Sequence, residues 1–405
     1  MIIRTDYLNE LIKWKDEKVI KVVTGIRRCG KSTLLEQFQE YLKSHGVLSK
    51  QIIAINFESL EFEDLLDYRK LYDYIASKLQ PDVTNYIFLD EIQMVEDYQK
   101  AVDSLYIKKD VDLYITGSNA YLLSGELATL LSGRYVEINM LPLSFKEFRS
   151  VYSEGSDESA LSEYMRYGAL PYIVSLKNSN DMANTYLEGI YNTIIVKDIE
   201  ERQKRKTKPD SRRVSDIALL KNIAKFLASS VGNPISIKSI ADYITSSGRR
   251  VSQNTISDYV SALIEPYVFY TAERYDVEGK QLLKQSPKYY ISDLGIRRYI
   301  VSKQNYDLGF SLENIVFLEL KRRGYKVNIG KVGSKEVDFV TEKDGVIEYI
   351  QVTASMTDEK TFDREIAPLK NIGDNYSKKI LTLDKFTLGN YEGIIVENVV
   401  DWLLE

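Results

Sequence analysis

Two glycines, a lysine and a serine stand at fixed spacing in Gly25-Ile26-Arg27-Arg28-Cys29-Gly30-Lys31-Ser32, which fits G-x-x-x-x-G-K-[ST]. This spacing suits phosphate chemistry. Gly25 lets the chain leave a strand in a tight curl. Gly30 removes a side chain where backbone N–H groups must face phosphate oxygens, and the helix that follows adds a partial positive charge at its N-terminus. The backbone from Gly25 to Thr33 is therefore the expected cradle for ATP. Lys31 is placed to reach the β- and γ-phosphates, the Ser32 hydroxyl to hold Mg2+, and Thr33 to lie near the α-phosphate.

Phosphoryl transfer also needs carboxylates. Phe88-Leu89-Asp90-Glu91 ends an apolar run sixty residues after the loop. Asp90 fits the Mg2+ shell, and Glu91 fits the group that polarises the attacking water. Asn119, after Thr116-Gly117-Ser118, can hold that water or sense the γ-phosphate; capping of a chain end is the alternative. Arg134 can be an arginine finger reaching a neighbouring subunit's nucleotide, worth roughly 10³–10⁵ in rate where it operates, or a plain surface arginine. Arg27 and Arg28 either brace the loop or meet a partner. Cys29 sits beside cationic side chains at a helix N-terminus, which predicts a lowered thiol pKa, inactivation by alkylation and protection by ATP.

The elements that must position these groups are visible in the hydrophobic pattern. Val19–Thr24 reads as a strand, and Lys31–Lys43 has helical period with Leu34, Leu35, Phe38, Tyr41 and Leu42 on one face. Further strands are expected at Ile52–Phe57, Tyr86–Leu89, Leu113–Thr116 and Tyr135–Ile138, with helices between most of them. Alternating β and α elements predict a parallel sheet covered on both faces, so 1–142 is expected to be one α/β core. Only helical periodicity follows from Leu143 to about Gln203, broken at Gly168-Ala169-Leu170-Pro171. The basic run Arg202–Arg213 closes the 143–213 segment; it reads as a solvated linker or as a phosphate-binding stretch.

Residues 214–295 show helices at about 214–230, 236–246 and 253–265, then strands at 267–275 and 281–291, the layout of a winged helix. Its third helix would present Gln253, Asn254, Ser257 and Asp258, and its wing Lys280 and Lys284. DNA or a protein are the alternative partners. Residues 296–405 are α/β again, with a helix at 312–323 and strands at 325–330, 336–341 and 346–353.

Composition limits the chemistry. The 405-residue chain is 44% hydrophobic and 28% charged with net charge −5, the balance of an ordinary globular protein and not of a general polyanion binder. One cysteine allows no intrachain disulfide. With His45 as the single histidine, a Cys/His zinc site and a Ser–His–Asp triad are disfavoured. The N-terminus does not read as a signal peptide, and no 18-residue apolar stretch exists, so a cytoplasmic protein with no membrane span is expected.

The motifs together resemble prokaryotic AAA-type ATPases carrying a C-terminal domain of unknown function. The resemblance rests on the P-loop, Phe88-Leu89-Asp90-Glu91-Ile92-Gln93, Ile115-Thr116-Gly117-Ser118-Asn119, Leu131-Ser132-Gly133-Arg134 and Leu141-Pro142-Leu143-Ser144-Phe145-Lys146-Glu147-Phe148. It continues through Tyr167-Gly168-Ala169-Leu170-Pro171, Thr255-Ile256-Ser257-Asp258-Tyr259 and Lys288 to Gly295. It implies an ASCE-type P-loop NTPase core with strand order 5-1-4-3-2, a helical lid, a winged helix and a C-terminal restriction-endonuclease-like α/β domain.

That last fold uses an acidic residue on a helix, an Asp on a strand, and Glu/Gln-x-Lys on the next. Glu313, Asp338 and Gln351 fit the first three positions. Thr353 stands where the lysine belongs, which weighs against nuclease activity, and Lys360 is the nearest substitute in sequence. Three functions are consistent with these residues: an ATPase acting on DNA or a protein, with a homo-oligomer if Arg134 acts in trans; an ATP-gated switch with slow turnover; and an ATP-regulated nuclease.

Overall fold

The computed structural model describes residues 2–117, 133–176, 180–194, 199, 216–301 and 307–405. Asn119, Lys284 as a side chain, and the basic run 202–213 lie outside the described residues. The chain forms two compact units, residues 1–142 with 265–267, and residues 143–264 with 268–405.

The first unit holds a five-stranded parallel sheet. Strands β1 (Ile20–Thr24), β2 (Ile52–Asn56), β3 (Asn85–Asp90), β4 (Val111–Gly117) and β5 (Tyr135–Asn139) lie in the order β2-β3-β4-β1-β5. This is 5-1-4-3-2 read from the other edge. Strands β1, β3 and β4 are buried along their whole lengths, as expected where helices cover both faces of a parallel sheet. Ile20, Val22, Ile55, Ile87, Leu89 and Ile115 pack into one core with Leu71 and Ile75 of α3 (Tyr68–Lys78) and Val102 and Leu105 of α4 (Tyr98–Tyr106). Helix α2 (Lys31–Ser44) buries Leu34, Leu35, Phe38 and Leu42. The Phe38 ring lies 5.0 Å from Tyr114 and 6.1 Å from Phe88, so α2 is anchored over β3 and β4. A short helix α1 (Thr5–Lys13), which the sequence reading did not name, buries Tyr7 and Leu11.

The second unit begins with helices and ends in an eight-stranded sheet. Helices Ile217–Ser229, Ile237–Ser246 and Gln253–Ile264 match the expected positions, the first two capped by Asp216 and Ser236. The hairpin β6 (Phe269–Asp276) and β7 (Gln281–Ile291) follows. It is not a free wing: β6 also pairs in parallel with β8 (Lys326–Val332) through Arg274↔Ile329 and Asp276↔Lys331. The sheet continues through β9 (Lys335–Lys343), β10 (Val346–Thr353), β11 (Ser377–Thr382), β13 (Ile394–Asn398) and β12 (Gly389–Tyr391). Among the described residues, no helix is long and apolar enough to cross a membrane.

Candidate functional site

The loop between β1 and α2 is a tight curl whose backbone requires its glycines. Gly25 has φ +143°, and a Cβ there would stand 2.1 Å from the Met140 carbonyl oxygen. Gly30 has φ +107°, in the region where L side chains are disfavoured. Arg28 also has positive φ (67°) and an exposed side chain, while the Arg27 guanidinium pairs with Glu58 at 2.9 Å. Ile26 is buried, and Ser32 and Thr33 are half-buried on the first turn of α2.

Lys31 is nearly inaccessible, and its ammonium donates to the carbonyls of Gly25 (3.1 Å) and Ile26 (3.3 Å). It lies 3.9 Å from Oε1 of Glu91. Asp90 and Glu91 stand at the carboxyl end of β3, beside the loop that ends β1, because the parallel sheet brings the same ends of its strands together. Asp90 accepts hydrogen bonds from the hydroxyls of Ser32 and Thr116 and from Asn56 Nδ2 at 3.1 Å. Burial pushes its carboxyl up. The two hydroxyl bonds and Lys31 oppose that, and the neighbouring Glu91 adds to it. The Ser32–Asp90 contact puts a hydroxyl and a carboxylate together, the oxygen donor set Mg2+ prefers, so these residues fit that ion.

Glu91 is held at φ 55°. Its N–H donates to Thr116 Oγ1 at 2.9 Å, and Gln93 Nε2 donates to its Oε2. Thr116 thus binds both acidic residues from the tip of β4. Thr116, Asn56 and Arg4 are the site residues that sequence reasoning missed. Thr116 lies inside the Ile115–Asn119 motif, in which Asn119 is the residue expected to act. Asn56 ends β2 with no motif around it.

One expectation is corrected. Cys29 is fully buried, and burial raises its thiol pKa; the cations Lys31 and Arg4 oppose this without overcoming it. Desolvation outweighs the neighbouring positive charges. Arg134 is not near the loop. It precedes β5 at the amino-terminal edge of the sheet, pairs with Asp103 of α4 and lies 5.6 Å from the Tyr106 ring.

In the second unit, Glu313 and Asp338 do converge, but around a lysine. The Lys288 ammonium of β7 lies 3.0 Å from Glu313, 2.7 Å from Glu336 and 4.0 Å from Asp338. Tyr290 donates to Glu313 at 2.7 Å. Burial raises the carboxyls of Glu313 and Asp338, while the surrounding carboxylates outweigh burial and raise Lys288. Gln351 is engaged with Glu365 at 2.8 Å, Thr353 bonds the Ser355 carbonyl, and Lys360 is exposed on the helix Glu359–Lys370. Among the described residues, no group of three or more His, Cys, Asp or Glu side chains is arranged as a metal site. On the expected DNA-facing helix, Gln253, Asn254 and Ser257 are exposed and Asp258 half-buried; Lys280 is exposed in the β6–β7 turn.

Residues 17–149 match the AAA domain family, and residues 158–307 match a domain of unknown function, DUF8612. An uncharacterised protein of Haemophilus influenzae is 41% identical over 100% of this chain and 99% of its own length. Uncharacterized protein MJ1544 of Methanocaldococcus jannaschii is 30% identical, covering 93% of this chain and 86% of its own. The chain belongs to this family of AAA-domain proteins. The Walker-type ATPase PABY2304 of Pyrococcus abyssi shares the fold at TM-score 0.51 and 14% identity, covering 74% of this chain and 96% of that one.

Proposed function

We propose that the protein hydrolyses Mg2+-bound ATP at the 25–33 loop and couples turnover to action on DNA or a protein partner. The observation that carries this reading is the convergence of Lys31, Ser32, Asp90 and Glu91 at one end of the parallel sheet. Backbone N–H groups from Gly25 to Thr33 bind phosphate oxygens. Lys31 moves its hydrogen bonds from the Gly25 and Ile26 carbonyls to the β- and γ-phosphates. Ser32 and Asp90 would hold Mg2+, which would supply charge neutralisation for the phosphates. Glu91 orients the attacking water and draws on its proton. Asn119, two positions after β4 in sequence, is assigned to the same water by sequence alone.

DNA is the first partner to test, because the exposed polar face Gln253, Asn254 and Ser257 lies on the third helix of a winged-helix layout. The cluster around Lys288 does not support nuclease action, since an ammonium holds the carboxylates that a metal would need. The Gln93–Glu91 bond favours a second reading, an ATP-gated switch in which the base is restrained and turnover slow.

Phosphate release from Mg2+-ATP, with and without duplex DNA and beside Glu91→Gln, separates these readings. Turnover that rises with DNA and vanishes in the variant supports the coupled ATPase. Tight ATP binding without turnover supports the switch. Absence of ATP binding overturns both.

A further inference from the structure

Arg4 has no place in any motif, yet its side chain reaches the phosphate loop. It is 2% exposed. One guanidinium nitrogen donates to the Cys29 carbonyl at 2.9 Å. The other donates to the Leu141 carbonyl at 2.8 Å and the Pro142 carbonyl at 3.3 Å. The planar fork of arginine satisfies acceptors on two separate strands of chain at once, which a lysine ammonium cannot do with the same geometry.

The segment 140–142 touches both ends of the loop. Met140 donates its N–H to the Thr24 carbonyl at 2.8 Å, and its own carbonyl lies against Gly25. Leu141 and Pro142 reach the far end of the loop through Arg4. Tyr7 holds this segment from below: its hydroxyl accepts the Leu141 N–H at 3.0 Å, and its ring lies 4.9 Å from the Arg4 guanidinium. Gln37 of α2 accepts the Arg4 N–H at 3.3 Å and donates to the Ile2 carbonyl at 2.7 Å. The arginine is thereby fixed to the helix that carries Lys31 and Ser32.

The direction of the Cys29 carbonyl matters for ligand binding. No described peptide bond is cis, and in a trans peptide the C=O and N–H of one unit point opposite ways. A Cys29 carbonyl held toward Arg4 sets the Gly30 N–H on the opposite side of that peptide, away from the guanidinium. We propose that Arg4 is a positioning residue for nucleotide phosphates, holding the Cys29–Gly30 peptide so that its N–H meets a phosphate oxygen. This inference rests on the reading of the 25–33 loop as a phosphate site.

The test compares ATP, ADP and adenosine binding, by calorimetry with Mg2+, in the full-length protein and in Arg4→Met, Arg4→Lys and Lys31→Ala. Thermal melting is recorded with and without ATP. Loss of a charge-assisted bond to the loop is expected to weaken ATP and ADP binding of Arg4→Met by on the order of 10- to 100-fold, and adenosine binding little. Arg4→Lys is expected to recover only part of the loss. A purely structural arginine would lower the melting temperature while leaving the ATP affinity of the folded protein and its ATP-induced thermal shift unchanged, and that result overturns the proposal. Should Arg4→Met not fold, Arg4→Lys decides: ATP affinity equal to that of the natural chain overturns the proposal, and a loss confined to phosphate-bearing ligands supports it. Failure of the natural chain to bind ATP would instead remove the reading on which the inference rests.

Discussion

The ammonium of Lys31 lies 3.9 Å from the carboxylate of Glu91, so the lysine of the glycine loop and the acid that follows β3 face the same few ångströms of space. The two residues are sixty positions apart, and neither end of this pair moves without changing the other's electrostatics. Glu91→Gln is expected to keep ATP binding and lower turnover by roughly 10²–10⁴-fold, the range for loss of a general base. Lys31→Ala is expected to lose binding as well. Phosphate release and calorimetry on both variants check the split.

Cys29 is enclosed, and burial disfavours its thiolate. Maleimide labelling of the folded protein is expected to run on the order of 100-fold or more slower than in urea, because reaction waits on local opening. Mass spectrometry of a labelling time course measures this. Rapid labelling without denaturant would contradict the placement.

Arg134 stands at the sheet edge opposite the phosphate loop, bound to Asp103. Arg134→Ala is expected to leave the basal turnover of the isolated protomer within about twofold, since an exposed pair contributes little to stability or local geometry. A drop that appears only when the protein self-associates, followed by mass photometry beside the activity assay, would assign it to a neighbouring copy's nucleotide.

Lys288 compensates several carboxylates in a buried setting. Lys288→Met is expected to cost about 3–5 kcal/mol, because it strands buried charge. Glu313 and Asp338 titrate above the usual carboxylate range when folded, so their contribution is larger at low pH and is lost as pH rises through their folded values. The variant should therefore recover part of its stability on acidification. Urea denaturation at two pH values reads this directly.

Asp293 is fully buried at the start of the helix Leu294–Val301, where it accepts N–H groups from Ala169 (2.5 Å) and Ile296 (3.0 Å). Burial pushes its carboxyl up to about 6, although the backbone bonds oppose this. The folded protein thus holds this proton more tightly than the unfolded chain. Its contribution is full below the ordinary 3.8 and disappears as pH rises through about 6. Asp293→Asn should remove that part of the pH slope in denaturation experiments. Gly168→Ala, whose Cβ would meet the Asp293 carboxylate at 2.2 Å with φ +84°, is expected to cost roughly 1–3 kcal/mol in the same assay.

Much of the first unit is determined by sequence alone, because its signals are local. The strands Ile20–Thr24 and Asn85–Asp90 are short apolar runs, Lys31–Ser44 carries a clean helical stripe, and the loop between them needs glycine at two positions for steric reasons. Asp90 and Glu91 are legible because they end an apolar strand at a distance that allows two crossovers, by way of β2. The tertiary structure alone decides what depends on burial and on partners remote in sequence. Cys29 reads as activated from its neighbours but is desolvated by the core around it. Arg4 gains its role from carbonyls at 29, 141 and 142, and Thr116 from two acids on the adjacent strand. The β6–β7 hairpin reads as a wing but is claimed by β8 fifty residues later, and Lys288, on that hairpin, supplies the cation among Glu313, Glu336 and Asp338. Local period and turn chemistry are written residue by residue, whereas desolvation, pairing across a sheet and the sharing of charge depend on distances that only the folded chain sets.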